Sequence, residues 1–271
     1  MTQRHSLGAT CGIESSCRAH WSLRPTGKLL FFVHGFGGEA TRTWRKFPQL
    51  LLEDSRWAGW DLFYYGYDSR RVRAGVCAQL LGSQVKNVIE QSNYADAWLP
   101  TSRAADFRYN EIWFVTHSLG AVVVRQMLIE AERQNAAWLS MSHLICFAPA
   151  TTGARIEKMM WLMGTTSGGL MGLVHSIFRF RWTVLDDLKI GSAFLSSLRS
   201  GTVRACRGAD REPFVSRLTL FGVYEDVIEY PPAFQFDRQV RLVHGANHVE
   251  VCKPRYSNDI AYFELLNEIR P

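Results

Sequence analysis

The feature that most constrains this chain is the run IWFVTHSLGAVVV at residues 112–124. Its apolar stretch stops at Thr116-His117-Ser118-Leu119-Gly120, and helix-compatible residues follow at once. This predicts a strand turning sharply into a helix. Small neighbours are needed at such a junction, because the serine sits in a strained backbone conformation that pushes its hydroxyl out of the sheet. Gly120 meets that need, while Thr116 occupies a position where glycine would leave more room. A plain N-cap serine would use the same five residues, so the rest of the chain must decide.

Short apolar runs recur along the sequence. Leu29–His34, Trp60–Tyr65, Ile112–Thr116, Ser142–Phe147, Arg217–Gly222 and Gln239–Val243 read as strands. Helix-like apolar spacing falls between or after them, at 72–92, 119–135 and 256–269. Alternation of this kind predicts an α/β fold with a mostly parallel central sheet flanked by helices. Residues 1–27 read as a poorly structured polar extension ending in Arg24-Pro25-Thr26-Gly27. The domain proper then runs from 28 to 271. The stretch from about 150 to 200 fits no simple strand–helix unit and reads as an inserted cap.

Three further features gather around the expected strand ends. FFVHGFGG (31–38) ends an apolar run with glycines at 35, 37 and 38. Such a loop brings backbone N–H groups close to a bound oxygen, and Phe36 with Leu119 forms the natural pair of donors for an oxyanion. No Gly-Lys-Ser/Thr follows, and the spacing does not match a dinucleotide fingerprint. Near the C-terminus, Gln239–Val243 leads into His244-Gly245-Ala246-Asn247-His248. A histidine on a loop after the last strand can reach back to the serine as a base, and His248 lies deeper in that loop than His244. Glu225 and Asp226 follow the preceding strand. Either carboxylate could hold the imidazole tautomer and stabilise its cation; Glu225 has the more usual offset and Asp226 the more usual residue type. Glycine loop, serine, acid and histidine, in that chain order, define one particular arrangement of strand ends.

Composition narrows the class. The chain has 271 residues, 47% of them hydrophobic and 21% charged, too apolar for a disordered protein and sufficient for a large core. Its 31 Lys+Arg exceed 25 Asp+Glu by six, and the basic residues are scattered. Nucleic-acid binding is disfavoured, since no recognition motif accompanies them. Six cysteines lack metal-type spacing, and their dispersal suits a reduced, cytoplasmic protein. No signal peptide or membrane span is expected, nor any metal or cofactor.

Taken together, these segments resemble the α/β-hydrolase superfamily. Within it they look like lipase-like serine esterases related to the GPI inositol-deacylases and the mitochondrial serine-active-site lipid-remodelling proteins. The resemblance rests on FFVHGFGG with Thr43-Trp44, Gly66-Tyr67-Asp68, VTHSLGAVVVRQ (115–126), DDLKIGSAFLSSL (186–198) and NHVEVCKP (247–254). It implies an α/β-hydrolase fold with Ser118 as nucleophile, His248 as base, and Phe36 and Leu119 as oxyanion donors. Thr116, Ala121 and the ambiguous acid depart from the family pattern.

The same resemblance makes 150–200 a cap over the acyl pocket. MMWLMGTTSGGLMGLVHSIF (159–178) is rich in Met, Leu and Gly, which suits an adaptable apolar wall or a lid that meets lipid. Gly35, Gly37, His117, Met159 and Met163 are the expected substrate contacts. The expected activity is hydrolysis of carboxylic esters, lipid or acyl esters above all, with peripheral membrane contact through the cap. An inactive binding module, and an acyltransferase or peptidase with the same triad, are the alternatives.

Overall fold

The computed structural model describes residues 4–12, 15–91, 93–159, 183–208, 211–228 and 237–271. Eight strands form one sheet: β1 (His5–Gly12), β2 (Ser15–Ser22), β3 (Lys28–Val33), β4 (Trp60–Tyr65), β5 (Glu111–His117), β6 (Ser142–Phe147), β7 (Ser216–Tyr224) and β8 (Val240–Asn247). Their order is β1-β2-β4-β3-β5-β6-β7-β8. From β4 to β8 every neighbouring pair is parallel, whereas β1–β2 and β2–β4 are antiparallel.

All six expected strands are present. Those in the middle are covered on both faces, so they carry continuous apolar runs instead of alternation; every residue of β4 is buried, and every residue of β3 after Lys28. The helices expected at 72–92, 119–135 and 256–269 are α2 (Ala74–Glu90), α3 (Leu119–Arg133) and α6 (Ile260–Ile269). Shorter segments are α1 (Phe47–Glu53), α4 (Val184–Leu188) and α5 (Ala193–Ala205). Among the described residues no helix is long and apolar enough to cross a membrane.

Strands β1 and β2 correct the expectation of an unstructured extension over 1–27. Their polar composition conceals a period of two: Cys17, Ala19 and Trp21 are buried, while Arg18 and His20 between them are not. This alternation lets β2 pair with β4 through Arg18↔Tyr64, Ala19↔Phe63 and His20↔Leu62. Asp61 reinforces the edge, accepting from Ser22 N–H at 2.8 Å, Tyr109 Oη at 2.5 Å and Arg103 at 2.7 Å. Above it, Arg103 lies 5.4 Å from the centre of the Trp21 ring, which stacks on Trp98.

Of the expected cap, 160–182 lies outside the described residues. The returning part folds back on the body of the domain: Asp187 accepts from Ala74 N–H at 2.9 Å and pairs with Arg73 at 3.0 Å. A carboxylate 113 residues downstream thereby satisfies one of the orphan N–H groups at the start of α2. Ser192 caps α5, accepting from Leu195 N–H.

Candidate active site

Ser118 occupies the junction between β5 and α3 with φ 52° and ψ −118°. Three backbone bonds hold this strained conformation: Ser118 N–H to Phe147 O at 3.0 Å, Ala121 N–H to Ser118 O at 3.1 Å, and Ala150 N–H to Ser118 O at 3.2 Å. Gly120 is required by close approach, because a Cβ there would lie 2.2 Å from Val33 O. Thr116 does not obstruct the turn. Its hydroxyl faces the neighbouring strand and donates to Ile145 O at 3.1 Å.

The two loops beyond β7 and β8 are brought into register by a second close contact. Gly222 lets Ala246 O approach to 2.3 Å from where a Cβ would stand. The last cross-strand pair is Tyr224↔Asn247, so Glu225 and His248 leave the sheet side by side. Asn247 Oδ1 then accepts from the N–H groups of Val249 and Glu250, both at 3.0 Å, turning the chain directly after His248. Because β8 continues to Asn247, His244 lies within the strand and is exposed; it plays no part at this rim.

These turns set three side chains in line. His248 Nε2 is 3.0 Å from Ser118 Oγ, and His248 Nδ1 is 2.9 Å and 3.1 Å from the two Glu225 oxygens. Glu225 is also fixed from behind, since its Oε1 accepts from Val227 N–H at 2.9 Å and Ile228 N–H at 3.0 Å. Asp226 is not brought to His248. Its half-exposed carboxylate points away and pairs with Lys158 at 3.0 Å. The ambiguity between the two acids is therefore a matter of which direction each side chain takes from the turn.

His117 has a role in this geometry that residue spacing did not suggest. Its Nε2 is 2.8 Å from the backbone oxygen of His248, so the ring donates there and ties the end of β5 to the histidine loop. Burial holds its pKa well below the usual histidine value, with the neighbouring His248 adding to the effect. Its Nδ1 is buried and has no hydrogen-bond partner among the described residues, as a neutral ring with its proton on Nε2 allows. His34 is likewise fully buried, its pKa pushed down to about 4 by desolvation. Its ring stacks on Tyr67 at 4.4 Å, and its Nδ1 is 2.8 Å from Gly35 O.

The glycine loop closes the other side of Ser118. Gly37 N–H donates to Ser69 Oγ at 2.9 Å and Gly38 N–H to Gly35 O at 3.1 Å, which fixes the loop over the nucleophile. Gly35 packs against the serine itself, for a Cβ there would stand 2.8 Å from Ser118 Cβ. Leu119 N–H belongs to the first turn of α3, where donors lack partners within the helix. A cavity of about 340 Å³ opens over Ser118 and His248. Phe36, Gly35, Gly37, His117 and Met159 line it, whereas Met163 lies outside the described residues.

A hydroxyl, an imidazole and a carboxylate joined in this way can deprotonate the hydroxyl and stabilise the resulting imidazolium, the arrangement used by serine nucleophiles on unrelated folds. Comparison with known proteins gives the fold. No protein-family model matches the chain, and no curated protein matches by sequence. Among solved structures, the mature lipase BlEst2 of Bacillus licheniformis superposes with a TM-score of 0.60 at 13% identity, over 95% of this chain and 99% of that one. The peroxisomal α/β-hydrolase Lpx1 of Saccharomyces cerevisiae gives 0.52 at 12% identity, over 99% and 82%. The monoacylglycerol lipase of Paleococcus ferrophilus gives 0.50 at 14%, over 91% and 96%. The chain has an α/β-hydrolase fold, and its structural neighbours include lipases.

Proposed function

We propose that this protein is a serine hydrolase that cleaves carboxylic esters through an acyl-enzyme. The continuous relay from Ser118 Oγ through His248 to Glu225 carries the proposal. Ser118 attacks the ester carbonyl while His248 Nε2 takes its proton, and Glu225 holds Nδ1–H toward itself and stabilises the imidazolium. The N–H groups of Phe36 and Leu119 receive the oxyanion. His248 then protonates the departing alcohol. In the second half, water adds to the acyl carbonyl, gives its proton to His248, and releases the carboxylic acid and the serine.

Lipid or acyl esters are the proposed substrates. Phe36 and Met159 give the cavity apolar walls, and Met is a side chain that adapts to varied acyl shapes. The resemblance of the sequence motifs to those of GPI inositol-deacylases and serine-active-site lipid-remodelling proteins supports the same reading, and that kinship is part of the proposal. Cytoplasmic residence with peripheral membrane contact completes it.

Ser118→Ala should lower kcat on p-nitrophenyl esters by about 10⁶-fold and abolish fluorophosphonate labelling, with circular dichroism unchanged. Wild-type turnover by that variant would overturn the assignment. Product analysis in the presence of an alcohol acceptor separates hydrolysis, which yields free acid alone, from acyl transfer.

A further inference from the structure

The chain that leaves β6 is buried and strained. Ala148 has φ 42° and Gly153 φ 104°, both in the left-handed region, and Ala148, Ala150, Thr151 and Ala154 are all buried. Backbone of this kind persists only where its surroundings enforce it. Here the enforcing bonds run in three directions. Ala150 N–H donates to the carbonyl of Ser118 at 3.2 Å, Ala154 N–H to Leu188 O at the end of α4 at 2.9 Å, and Arg155 N–H to Val227 O at 2.8 Å. Ala154 also forms isolated β-bridges, with Lys189 on one side and Ile228 on the other. Gly153 is required by close approach, since a Cβ there would stand 2.7 Å from Ile190 Cα.

The bond from Arg155 reaches the relay through one peptide unit. Val227 C=O and Ile228 N–H belong to the same planar trans peptide and point in opposite directions. Arg155 N–H holds the carbonyl end, so the other end is aimed at Glu225 Oε1, to which Ile228 N–H donates at 3.0 Å. Residues 150–155 therefore run from the backbone of Ser118 to the peptide that steadies Glu225. The Lys158–Asp226 pair lies over the same gap, but both partners are about half exposed and such pairs hold little. The tie is made by the backbone.

We infer that residues 150–155 are a strut that sets the separation of Ser118 and Glu225, the gap His248 has to bridge, with Gly153 and Arg155 as its positioning residues. The inference rests on the ester-hydrolase reading, because the strut serves the relay. Arg155 acts through its N–H and Gly153 through its lack of a side chain. Neither is among the described residues that line the cavity over Ser118. Their effect on the reaction passes through the orientation of Glu225.

Arg155→Pro removes the N–H, and Ala154, held in a β-bridge, suits the residue before a proline. Arg155→Ala keeps the N–H and accounts for the side chain. Relative to Arg155→Ala, Arg155→Pro should lower kcat on a p-nitrophenyl ester about ten- to a hundredfold, with KM within about twofold. Beside Glu225→Gln the same comparison should change kcat by less than about twofold, since both residues act through one group. In proton NMR, the downfield His248 Nδ1–H resonance should be kept in Arg155→Ala and move or broaden in Arg155→Pro. Should Arg155→Pro fail to fold by circular dichroism, Gly153→Ala is read against wild type in its place, with the same fall in kcat and the same loss of effect beside Glu225→Gln. A folded variant with the kcat of its reference, or a fall that persists undiminished beside Glu225→Gln, overturns the inference. A wild type inert toward esters, whose Nδ1–H resonance still moves in Arg155→Pro, would sink the hydrolase reading and leave the strut standing. Ester hydrolysis indifferent to Arg155→Pro would do the reverse.

Discussion

The rim that gathers Ser118, His248 and Glu225 and the antiparallel edge formed by β1 and β2 are built on opposite plans. At the rim, each side chain sits within a residue or two of the strand that delivers it, and short-range features shape each turn: Gly120 beneath Ser118, Gly222 beside Ala246, and the Asn247 turn after His248. At the edge, Ser22, Asp61 and the Arg103–Tyr109 segment come from three separate stretches of chain to one buried cluster. Local rules leave marks in a sequence, and assembled clusters do not. The rim should therefore fail chemically when touched, and the edge structurally.

The largest expected effect falls on the relay. Glu225→Gln should lower kcat about 10²–10⁴-fold by losing the charge that supports the imidazolium, while Asp226→Asn stays within about twofold. Steady-state kinetics on one ester decides this, and equal losses from both variants would erase the distinction drawn between the two carboxylates. At the edge, Asp61→Asn leaves Arg103, only 4% exposed, without its countercharge. Breaking a buried pair in this way should cost about 3–5 kcal/mol, read as a lower urea midpoint, with kcat per folded molecule retained. An intact midpoint would show that Trp21 and β-pairing hold the edge without the cluster.

Acidification should act more gently, and with a definite sign. His34 binds a proton near pH 6.5 when unfolded but resists it to about 4 when folded. Stability should be complete above pH 6.5 and decline as the pH falls from there through 4, by up to about 3 kcal/mol from this residue; buried His117 acts in the same direction. Thermal melts across that range test it. His34→Gln should flatten the decline, and an unaltered slope would remove His34 from the explanation. Smallest of all, Thr116→Val deletes one buried hydrogen bond to Ile145 O and should lower stability by about 1 kcal/mol, leaving kcat close to wild type.

How far the sequence could be read follows from the same contrast. Ser118, Gly120 and the glycine loop were legible because a strained turn admits few residue types. The strands from β3 to β7 were legible because buried parallel strands carry mostly apolar runs, and the largely exposed edge strand β8 through the alternation in Gln239–Val243. The β1–β2 hairpin was missed, although Cys17-Arg18-Ala19-His20-Trp21 alternates as a half-covered strand should, because polar residues at intervening positions dominate its average composition. Asp187 at the start of α2 left no readable trace, since its partner is over a hundred residues distant.

The sequence by itself determined the strands β3 to β8 and the helices α2, α3 and α6, the serine at a sharp turn, and the histidine and acid beyond two later strands. These are properties of short segments whose backbone requirements few side chains satisfy. Only the tertiary structure decided that Glu225 and not Asp226 turns toward His248, and that His117 braces the histidine loop. Each of those depends on where neighbouring carboxylates, carbonyls and N–H groups lie in space, and a linear pattern of residues does not carry that information.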